Sequence, residues 1–398
     1  MSGTKPGSGM VRHVHEYRKA FTTHLFEFGT IVLVGVGGMY MIRYLLNNMD
    51  PTKDKKKKRI VHPEVLNRLR NNGWGTEMGE YEAIMLEHIT FPKQIDVTLN
   101  DIGGCQPVKE AIEEIFTIPL QNPEIFEGSK LLSPPKGMLF FGAPGTGKTM
   151  MAKAICKSSG STFFNIRASD IQSKWFGDSV RLIRGLFKLA HKLAPSVIFI
   201  DEMDAFLHER GRGRDHEATL AMKAEFMSLW DGLIENPSSK VIVLGATNRP
   251  EDIDKAILRR LPRKFEFKMP DMKARMQILK NMLKGNQLDT KGEYDSRGVT
   301  IEKVAELTER YSGSDLLEMC KACAMIPLKE YIRAKLDKKE TPKKTKLRPL
   351  TLTDFIKSMQ KVKPTGQTAR TYARQRQAEE FAASMNNGDE DPYDGFNT

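Results

Sequence analysis

The chain has 398 residues, of which 40% are hydrophobic, so it can form two or three units that each have a core of their own. Lysine and arginine number 62 against 50 acidic residues, which leaves a net charge of +12. The four cysteines are too few and too unevenly spaced for a disulfide framework, which excludes a small disulfide-stabilised fold and favours a reducing compartment.

An apolar segment, residues 28–46, contains one charged residue, Arg43. A helix of this length spans about 28 Å, close to the roughly 30 Å hydrocarbon core of a bilayer. The segment therefore predicts one transmembrane helix, and no small-residue cleavage site follows it, which argues against a signal peptide. Because Arg43 and a basic run, residues 53–59, lie on its C-terminal side, we expect residues 1–27 to be non-cytosolic and the rest to face the cytosol.

Residues 47–97 predict a basic and partly helical linker. Two stretches with helical spacing, "VLNRLR" and "YEAIMLEHI", are interrupted by "NNGWG". We expect this linker to pack against the domain that follows it.

The next segment, "GMLFFGAPGTGKTMMAKAI", passes from an apolar strand through a glycine-rich turn into a helix, and its turn satisfies GxxxxGK[ST] in full. Backbone N–H groups of such a loop bind phosphates, and the helix N-terminus adds a partial positive charge. Lys148 is expected to reach the outer phosphates and the Thr149 hydroxyl to ligate Mg²⁺. The predicted ATP-binding loop consists of Gly142, Ala143, Pro144, Gly145, Thr146, Gly147, Lys148 and Thr149.

Two later apolar runs predict buried strands that end in polar groups. "SVIFIDEMDAF" ends its strand at Asp201 and Glu202, and "VIVLGATN" ends at Asn248. ATP hydrolysis requires one carboxylate for the Mg²⁺ shell, here Asp201, and a second to polarise the attacking water, here Glu202. Asn248 is expected to orient the same water. Strands separated by helical segments predict a doubly wound α/β fold with a parallel sheet.

These motifs occur together with "DIGG", "GATNRP", "DKAILRRLPRKF" and "YSGSDL" in the order and spacing of the AAA ATPases, and the chain resembles that family over about residues 98–363. The resemblance implies a large ATPase domain, residues 98–270, a helical lid domain, residues 271–365, and a homohexamer with ATP and Mg²⁺ at its subunit interfaces. It also implies nucleotide contacts from Asp101, Ile102, Gly104, Gly313 and Ser314. Arg259 and Arg260 match arginine fingers that enter the neighbour's site.

One residue of the phosphate loop departs from the family pattern. Ala143 stands where close relatives usually have proline, although the backbone chemistry of the loop does not depend on that side chain.

The ring implies a substrate-gripping pore loop at Lys174, Trp175, Phe176 and Gly177, because aromatic faces can grip an extended polypeptide of almost any sequence. Residues 208–217 are expected to form a second loop lower in the pore. No module for nucleic-acid binding accompanies them.

Within the family, the single membrane helix, the short linker and the single ATPase module resemble the thorase-type extractases. The resemblance implies that the protein pulls mislocalised tail-anchored proteins out of the mitochondrial outer membrane, and from peroxisomes as well. Residues 366–398 predict a C-terminal helix and an acidic disordered tail.

Three alternatives remain open at the level of sequence. A microtubule-severing ATPase of the katanin or spastin kind shares the aromatic loop and the double arginine, but usually has a further domain before the ring. A non-enzymatic scaffold would be expected to have lost Lys148, Glu202 or the arginines. An inner-membrane mitochondrial chaperone is compatible with the first 24 residues. This segment has a net positive charge with Glu16 as its one acidic residue, so it could act as a presequence.

Overall fold

The computed structural model describes residues 38, 39, 41, 43, 63–126, 134–171, 178–207, 217–236, 239–336 and 347–365. The chain divides into two units, Met1–Val61 and His62–Thr398, and all elements given below belong to the second. Within the described ranges no helix is both long enough and apolar enough to cross a bilayer. Most of the predicted membrane span, residues 28–46, lies outside those ranges, as do the tail beyond residue 365 and residues 208–216.

A six-stranded sheet forms the centre of the second unit, in the order β1-β3-β4-β5-β2-β6. Its strands are Ile89–Thr90 (β1), Gly137–Gly142 (β2), Thr162–Ile166 (β3), Ser196–Ile200 (β4), Val241–Thr247 (β5) and Arg263–Phe267 (β6). Five strands are parallel, as predicted, but β1 pairs antiparallel with β3 at the edge, so the sheet is mixed. A strand of two half-buried residues has no periodicity that a sequence pattern could reveal.

Helices lie on both faces of this sheet. They are Pro63–Asn71 (α1), Glu80–Met85 (α2), Gln106–Ile112 (α3), Ile118–Gln121 (α4), Pro123–Phe126 (α5), Lys148–Ser158 (α6), Ala168–Ile171 (α7), Asp178–Lys192 (α8), Met203–Phe206 (α9), Glu217–Glu235 (α10) and Lys255–Arg259 (α11), with a π-helical turn, Glu113–Thr117, between α3 and α4. The central strands are buried along their whole length because both faces are covered, which explains their continuous apolar runs.

Aromatic side chains fill the core on each side of the sheet. On one side Phe140 and Phe163 pack with Met151 of α6. On the side of α8 and α10, the rings of Phe187 and Phe226 lie 5.3 Å apart, and those of Phe226 and Trp230 lie 5.6 Å apart, both edge to face. These contacts hold α8 and α10 together.

The linker residues from 63 onward pack against the ATPase core rather than extending away from it. Val65 and Leu69 of α1 are buried. Arg68 donates hydrogen bonds to Thr162 Oγ1 and to Gly160 O, both at 2.9 Å. The linker then supplies β1 to the edge of the sheet, so its position relative to β3 is fixed by backbone pairing as well as by side chains.

Among the described residues of the lid, residues 271–336 and 347–365, four helices form a core of their own. They are Met272–Met282 (α12), Ile301–Leu307 (α13), Gly313–Leu336 (α14) and Leu352–Lys361 (α15). Leu279, Leu316 and Phe355 are fully buried in this core. The thiols of Cys320 and Cys323 are free and buried in α14, and burial raises the pKa of the Cys320 thiol to about 12.

Candidate active site

The phosphate-loop motif connects β2 to α6, and its shape depends on glycine. Gly142, Gly145 and Gly147 have φ values of +136°, +75° and +97°, a region that side chains with a Cβ rarely adopt. A Cβ at Gly142 would lie 2.3 Å from the carbonyl oxygen of Phe267 in β6. At Gly142 the backbone of the loop therefore passes so close to β6 that no side chain would fit there.

Lys148 lies at the centre of this loop, where three oxygens surround its ammonium group. Its Nζ donates to Gly142 O at 2.9 Å, to Ala143 O at 2.8 Å and to Asn248 Oδ1 at 2.8 Å. Burial lowers the pKa of Lys148 to about 8, although Asp201 and Asp204 oppose that shift. A direct hydrogen bond therefore joins Asn248, the residue that follows β5, to the phosphate loop.

Thr149 and Asp201 are brought together as the sequence motifs imply. Thr149 Oγ1 donates to Asp201 Oδ2 at 3.1 Å, so a hydroxyl and a carboxylate from α6 and the end of β4 face each other. Such oxygen donors suit Mg²⁺, which keeps several water or phosphate ligands and needs only one or two protein side chains. The described residues contain no cluster of three or more acidic, histidine or cysteine side chains that could hold a metal alone. A site completed by nucleotide phosphates fits this donor set.

Glu202 occupies an unusual backbone position immediately before α9. Its φ of 51° places it in the left-handed region, which costs a non-glycine residue about 1 kcal/mol or more and often marks a functional site. Its N–H donates to Asp201 Oδ1 at 3.0 Å, while its side chain is exposed. The turn thus directs the two carboxylates differently, with Asp201 held towards Thr149 and Glu202 accessible to solvent.

The end of β5 is shaped by Thr247 and Asp204, to which the sequence motifs assigned no role. Thr247 Oγ1 donates to Asp204 Oδ1 at 2.6 Å and accepts from the N–H of Arg249 at 2.9 Å. These bonds fix the turn in which Asn248 lies. Asp204 is the second aspartate of the quoted "IDEMD" motif, so its presence was visible in the sequence but its partner was not.

The lid reaches the phosphate loop through the first turn of α14. The N–H of Ser314 donates to Gly145 O at 3.2 Å, and a Cβ at Gly313 would lie 3.2 Å from the same oxygen. Gly104 is also in contact with the lid, because its N–H donates to Gln277 Oε1 of α12 at 3.0 Å. The predicted nucleotide-contacting residues at 104, 313 and 314 therefore all lie where lid and ATPase part meet.

The carboxylate of Asp101 has a local role in the structure. It accepts from the Thr98 N–H at 2.8 Å and from Thr98 Oγ1 at 2.6 Å, and these two bonds lower its pKa. Ile102 is buried. Asn281 of α12 donates to the carbonyl oxygens of Asn100 and Asp101, which ties this turn to the lid.

The two predicted arginine fingers differ in their surroundings. Arg259 is exposed at the end of α11. Arg260 makes a bidentate pair with Asp231 of α10, with distances of 2.6 Å and 2.7 Å, and donates to Ala256 O. The predicted pore-loop residues, Lys174, Trp175, Phe176 and Gly177, lie outside the described residues.

Comparison with known proteins decides the family. Residues 138–269 match the model of the ATPase family associated with various cellular activities (AAA), and residues 298–342 match that of the AAA+ lid domain. The chain is 39% identical to the outer mitochondrial transmembrane helix translocase of Homo sapiens over 342 residues, which cover 85% of this chain and 91% of that protein. The chain belongs to the AAA ATPase family. It is an ATP hydrolase with the α/β domain and helical lid of that family.

Other AAA ATPases are similar over smaller shares of their length or at lower identity. The chain is 41% identical to a spastin homolog of Caenorhabditis elegans over 270 residues, which are 68% of this chain and 51% of that protein. The crystal structure of the FIGL-1 AAA domain in complex with ADP superimposes with a TM-score of 0.60 at 31% identity, covering 81% of this chain and 99% of that one. The similarity to the translocase thus extends over more of both chains than the similarity to the spastin homolog.

Proposed function

We propose that this AAA ATPase is a membrane protein extractase, which uses ATP to pull mislocalised tail-anchored proteins out of the mitochondrial outer membrane through the pore of a homohexamer. The observation that best supports a translocase is the 39% identity over 85% of the chain to a protein named outer mitochondrial transmembrane helix translocase. The convergence of Lys148, Thr149, Asp201 and Asn248 at the ends of β2, β4 and β5 supports hydrolysis as the source of energy.

The proposed chemistry assigns a role to each side chain of the site. Lys148 would exchange its carbonyl partners for oxygens of the outer phosphates. Mg²⁺, held by Thr149 and Asp201, would neutralise charge that develops on those phosphates. Glu202, accessible at its left-handed turn, would polarise the attacking water, and Asn248 would orient it. The backbone N–H groups of the loop would bind the remaining phosphate oxygens.

The adenosine end of ATP would lie between the ATPase part and the lid. Gly104, which contacts the lid, and Gly313 and Ser314, which contact the phosphate loop, support this placement because they lie where the two parts meet. We propose that Arg259 completes the site of the neighbouring subunit, because its guanidinium is exposed at the end of α11 and presents several donors that fit phosphate. Arg260 would reach the neighbouring site only if its guanidinium released Asp231 or bound Asp231 and a phosphate at the same time.

Substrate handling and location rest on the residues outside the described ranges. We propose that residues 28–46 anchor the protein in the outer membrane of mitochondria, with the ATPase part in the cytosol, and that Trp175 and Phe176 grip the substrate in the pore. A location in peroxisomal membranes stays a prediction of the sequence. A ring tethered beside another membrane protein can apply force to its cytosolic part, and so oppose the free energy that keeps an apolar helix in lipid.

The test is a substrate trap in cells. A Glu202→Gln variant should bind ATP without hydrolysing it, and we expect tail-anchored membrane proteins to co-purify with it from detergent-solubilised membranes. A further Trp175→Ala change should release them. The matched control is Glu251→Gln, an exposed glutamate that lies outside the site and should trap nothing.

Two results would contradict the proposal. Enrichment of tubulin in the trap would instead support a severing ATPase, the activity that the spastin homolog suggests. Recovery of a shortened, protease-protected protein after import into mitochondria would place the chain inside the organelle and support the inner-membrane chaperone.

A further inference from the structure

A short stretch of the linker, residues 81–88, touches both helices that border the predicted pore segment. Helix α7 ends at Ile171 and α8 begins at Asp178. Tyr81 and His88 of the linker reach one helix each. This arrangement involves neither the phosphate loop nor the lid, so the ATP-hydrolysing site does not account for it.

The contact with α8 is made by the Tyr81 hydroxyl. It donates to Asp178 Oδ1 at 3.0 Å and accepts from Arg181 Nη1 at 3.2 Å, and the guanidinium of Arg181 lies 6.0 Å from the centroid of the Tyr81 ring. Asp178 is the first residue of α8. The linker is thus hydrogen-bonded to the residue at which the chain returns from the predicted pore segment.

Close backbone packing fixes the ring of Tyr81 at this place. Helix α2 crosses α8 at Gly185, where an added Cβ would lie 2.9 Å from Tyr81 Cβ. The side chain of the next residue, Glu82, is 3% exposed, and its carboxylate pairs with Lys192 Nζ at 2.7 Å and Lys188 Nζ at 3.2 Å. A buried ion pair of this kind holds one register between the two helices, because any slip would leave a buried charge without its partner.

The contact with α7 lies at the other end of the stretch. His88 Nδ1 is 3.5 Å from Asp170 Oδ2, and the same carboxylate oxygen accepts from the N–H of Arg167 at 2.8 Å. β1, which follows His88 directly, pairs with β3, the strand that precedes α7. The linker therefore contacts both α7, the helix before the predicted pore segment, and α8, the helix after it.

From this geometry we infer that Tyr81 is a positioning residue for substrate pulling, which ties the linker to the start of α8 so that α8 keeps its place when force acts on the pore segment. The inference rests on the proposed function. A load on residues 172–177 is carried by the two helices that flank them. Without the Tyr81 hydroxyl, α8 would yield to that load, and a larger part of each ATP-driven movement would be lost before the substrate moved.

The test compares hydroxyl deletions in the full chain reconstituted into liposomes. The liposomes also contain a model tail-anchored protein with a fluorescent cytosolic domain, and the measurement is the number of molecules extracted per ATP hydrolysed. We expect Tyr81→Phe to lower this ratio about threefold or more, with the basal ATPase rate unchanged and the melting temperature lowered by about 4 °C at most. The matched control is Tyr294→Phe, which removes the hydroxyl of a tyrosine that is 57% exposed in the lid.

A double-mutant cycle separates the contact from its surroundings. If Tyr81 acts through Asp178, then Asp178→Ala should lower the same ratio, and the double variant should extract no worse than the weaker single variant. Losses that multiply in the double variant would overturn the inference. So would a fall in melting temperature and basal ATPase rate that parallels the fall in extraction, because that result describes a structural role.

The outcomes also distinguish this inference from the proposal on which it rests. A wild-type protein that hydrolyses ATP but extracts nothing from these liposomes contradicts the proposed function, and the inference with it. A wild-type protein that extracts the model substrate, beside a Tyr81→Phe variant with the same ratio, overturns the inference alone.

Discussion

The ammonium group of Lys148 cannot keep all its protein partners and also bind ATP, because those protein oxygens and the phosphate oxygens compete for the same N–H donors. Its Nζ contacts two loop carbonyls and Asn248, and burial lowers its pKa to about 8. A phosphate anion favours the protonated amine, so ATP binding above pH 8 should be coupled to the uptake of one proton at this side chain.

This coupling predicts a pH dependence of ATP binding. Between pH 8 and pH 9 we expect the affinity of the Glu202→Gln protein for ATP to fall about fivefold, because a growing fraction of the amine is deprotonated and must first take up a proton. Calorimetry in buffers of different ionisation enthalpy should detect the proton at pH 8.5 and little uptake at pH 7, where Lys148 is mostly protonated already. An affinity that stays constant up to pH 9 would contradict the lowered pKa.

The two adjacent arginines predict two different phenotypes. Arg260 is paired with Asp231 and holds α11 against α10, whereas Arg259 is exposed. We expect Arg260→Ala to lower the melting temperature by about 2 °C or more and Arg259→Ala to leave it unchanged. Differential scanning calorimetry on the two variants measures this. Equal melting temperatures would mean that the Asp231 pair contributes nothing to the fold.

At the scale of elements, the linker helix α2 depends on one buried carboxylate. Burial works to raise the pKa of Glu82, but hydrogen bonds from Lys192 and from the Gly79 N–H outweigh it, so the pKa lies below its ordinary value. The stabilisation is therefore fully present above pH 4.5 and is lost as the pH falls through the lowered pKa.

Removing this charge should loosen the linker from α8. We expect Glu82→Gln to lower the free energy of unfolding by about 3 kcal/mol, because it leaves the buried ammonium of Lys192 without its counter-charge. Urea denaturation near pH 7 measures the difference, and Glu77→Gln, an exposed change in the same linker, is the control. A loss below about 1 kcal/mol would indicate that water reaches Lys192 and replaces the carboxylate.

The elements also show which parts of the structure can be read from sequence. β2, β4 and β5 are predictable because continuous apolar runs end in functional residues. β6, "RKFEF", is half-exposed along most of its length, and β1 has two residues, so neither gives a clear run. The pairs Thr247–Asp204 and Arg260–Asp231 join residues 43 and 29 positions apart, and a single sequence contains no signal for such distances. The Tyr81–Asp178 contact spans 97 positions and is invisible for the same reason.

At the scale of the whole molecule, the proposed ring predicts that subunits share active sites. A Lys148→Ala subunit lacks a working phosphate site but keeps Arg259, and an Arg259→Ala subunit has the reverse defect. Neither should hydrolyse ATP well alone, since an arginine finger contributes a factor of about a thousand or more in known cases. Mixed rings contain some interfaces with both groups intact, so we expect mixing to restore part of the ATPase activity.

The control for this experiment is a mixture of two Lys148→Ala preparations with different tags, which should remain inactive. Activity is measured as phosphate release after the subunits have been allowed to exchange. If the mixed sample is no more active than its components, then Arg259 does not act across an interface.

Helix α14 begins at the phosphate loop and ends far from it. Its first turn touches the phosphate loop through Ser314 and Gly145, and its 24 residues extend for about 36 Å from that point. A tilt of about 10° at the first turn would displace Leu336, at the far end, by about 6 Å. If the loss of a phosphate, a change of a few ångströms, tilted the first turn in this way, the helix would act as a lever arm and move its far end by about the length of two extended residues.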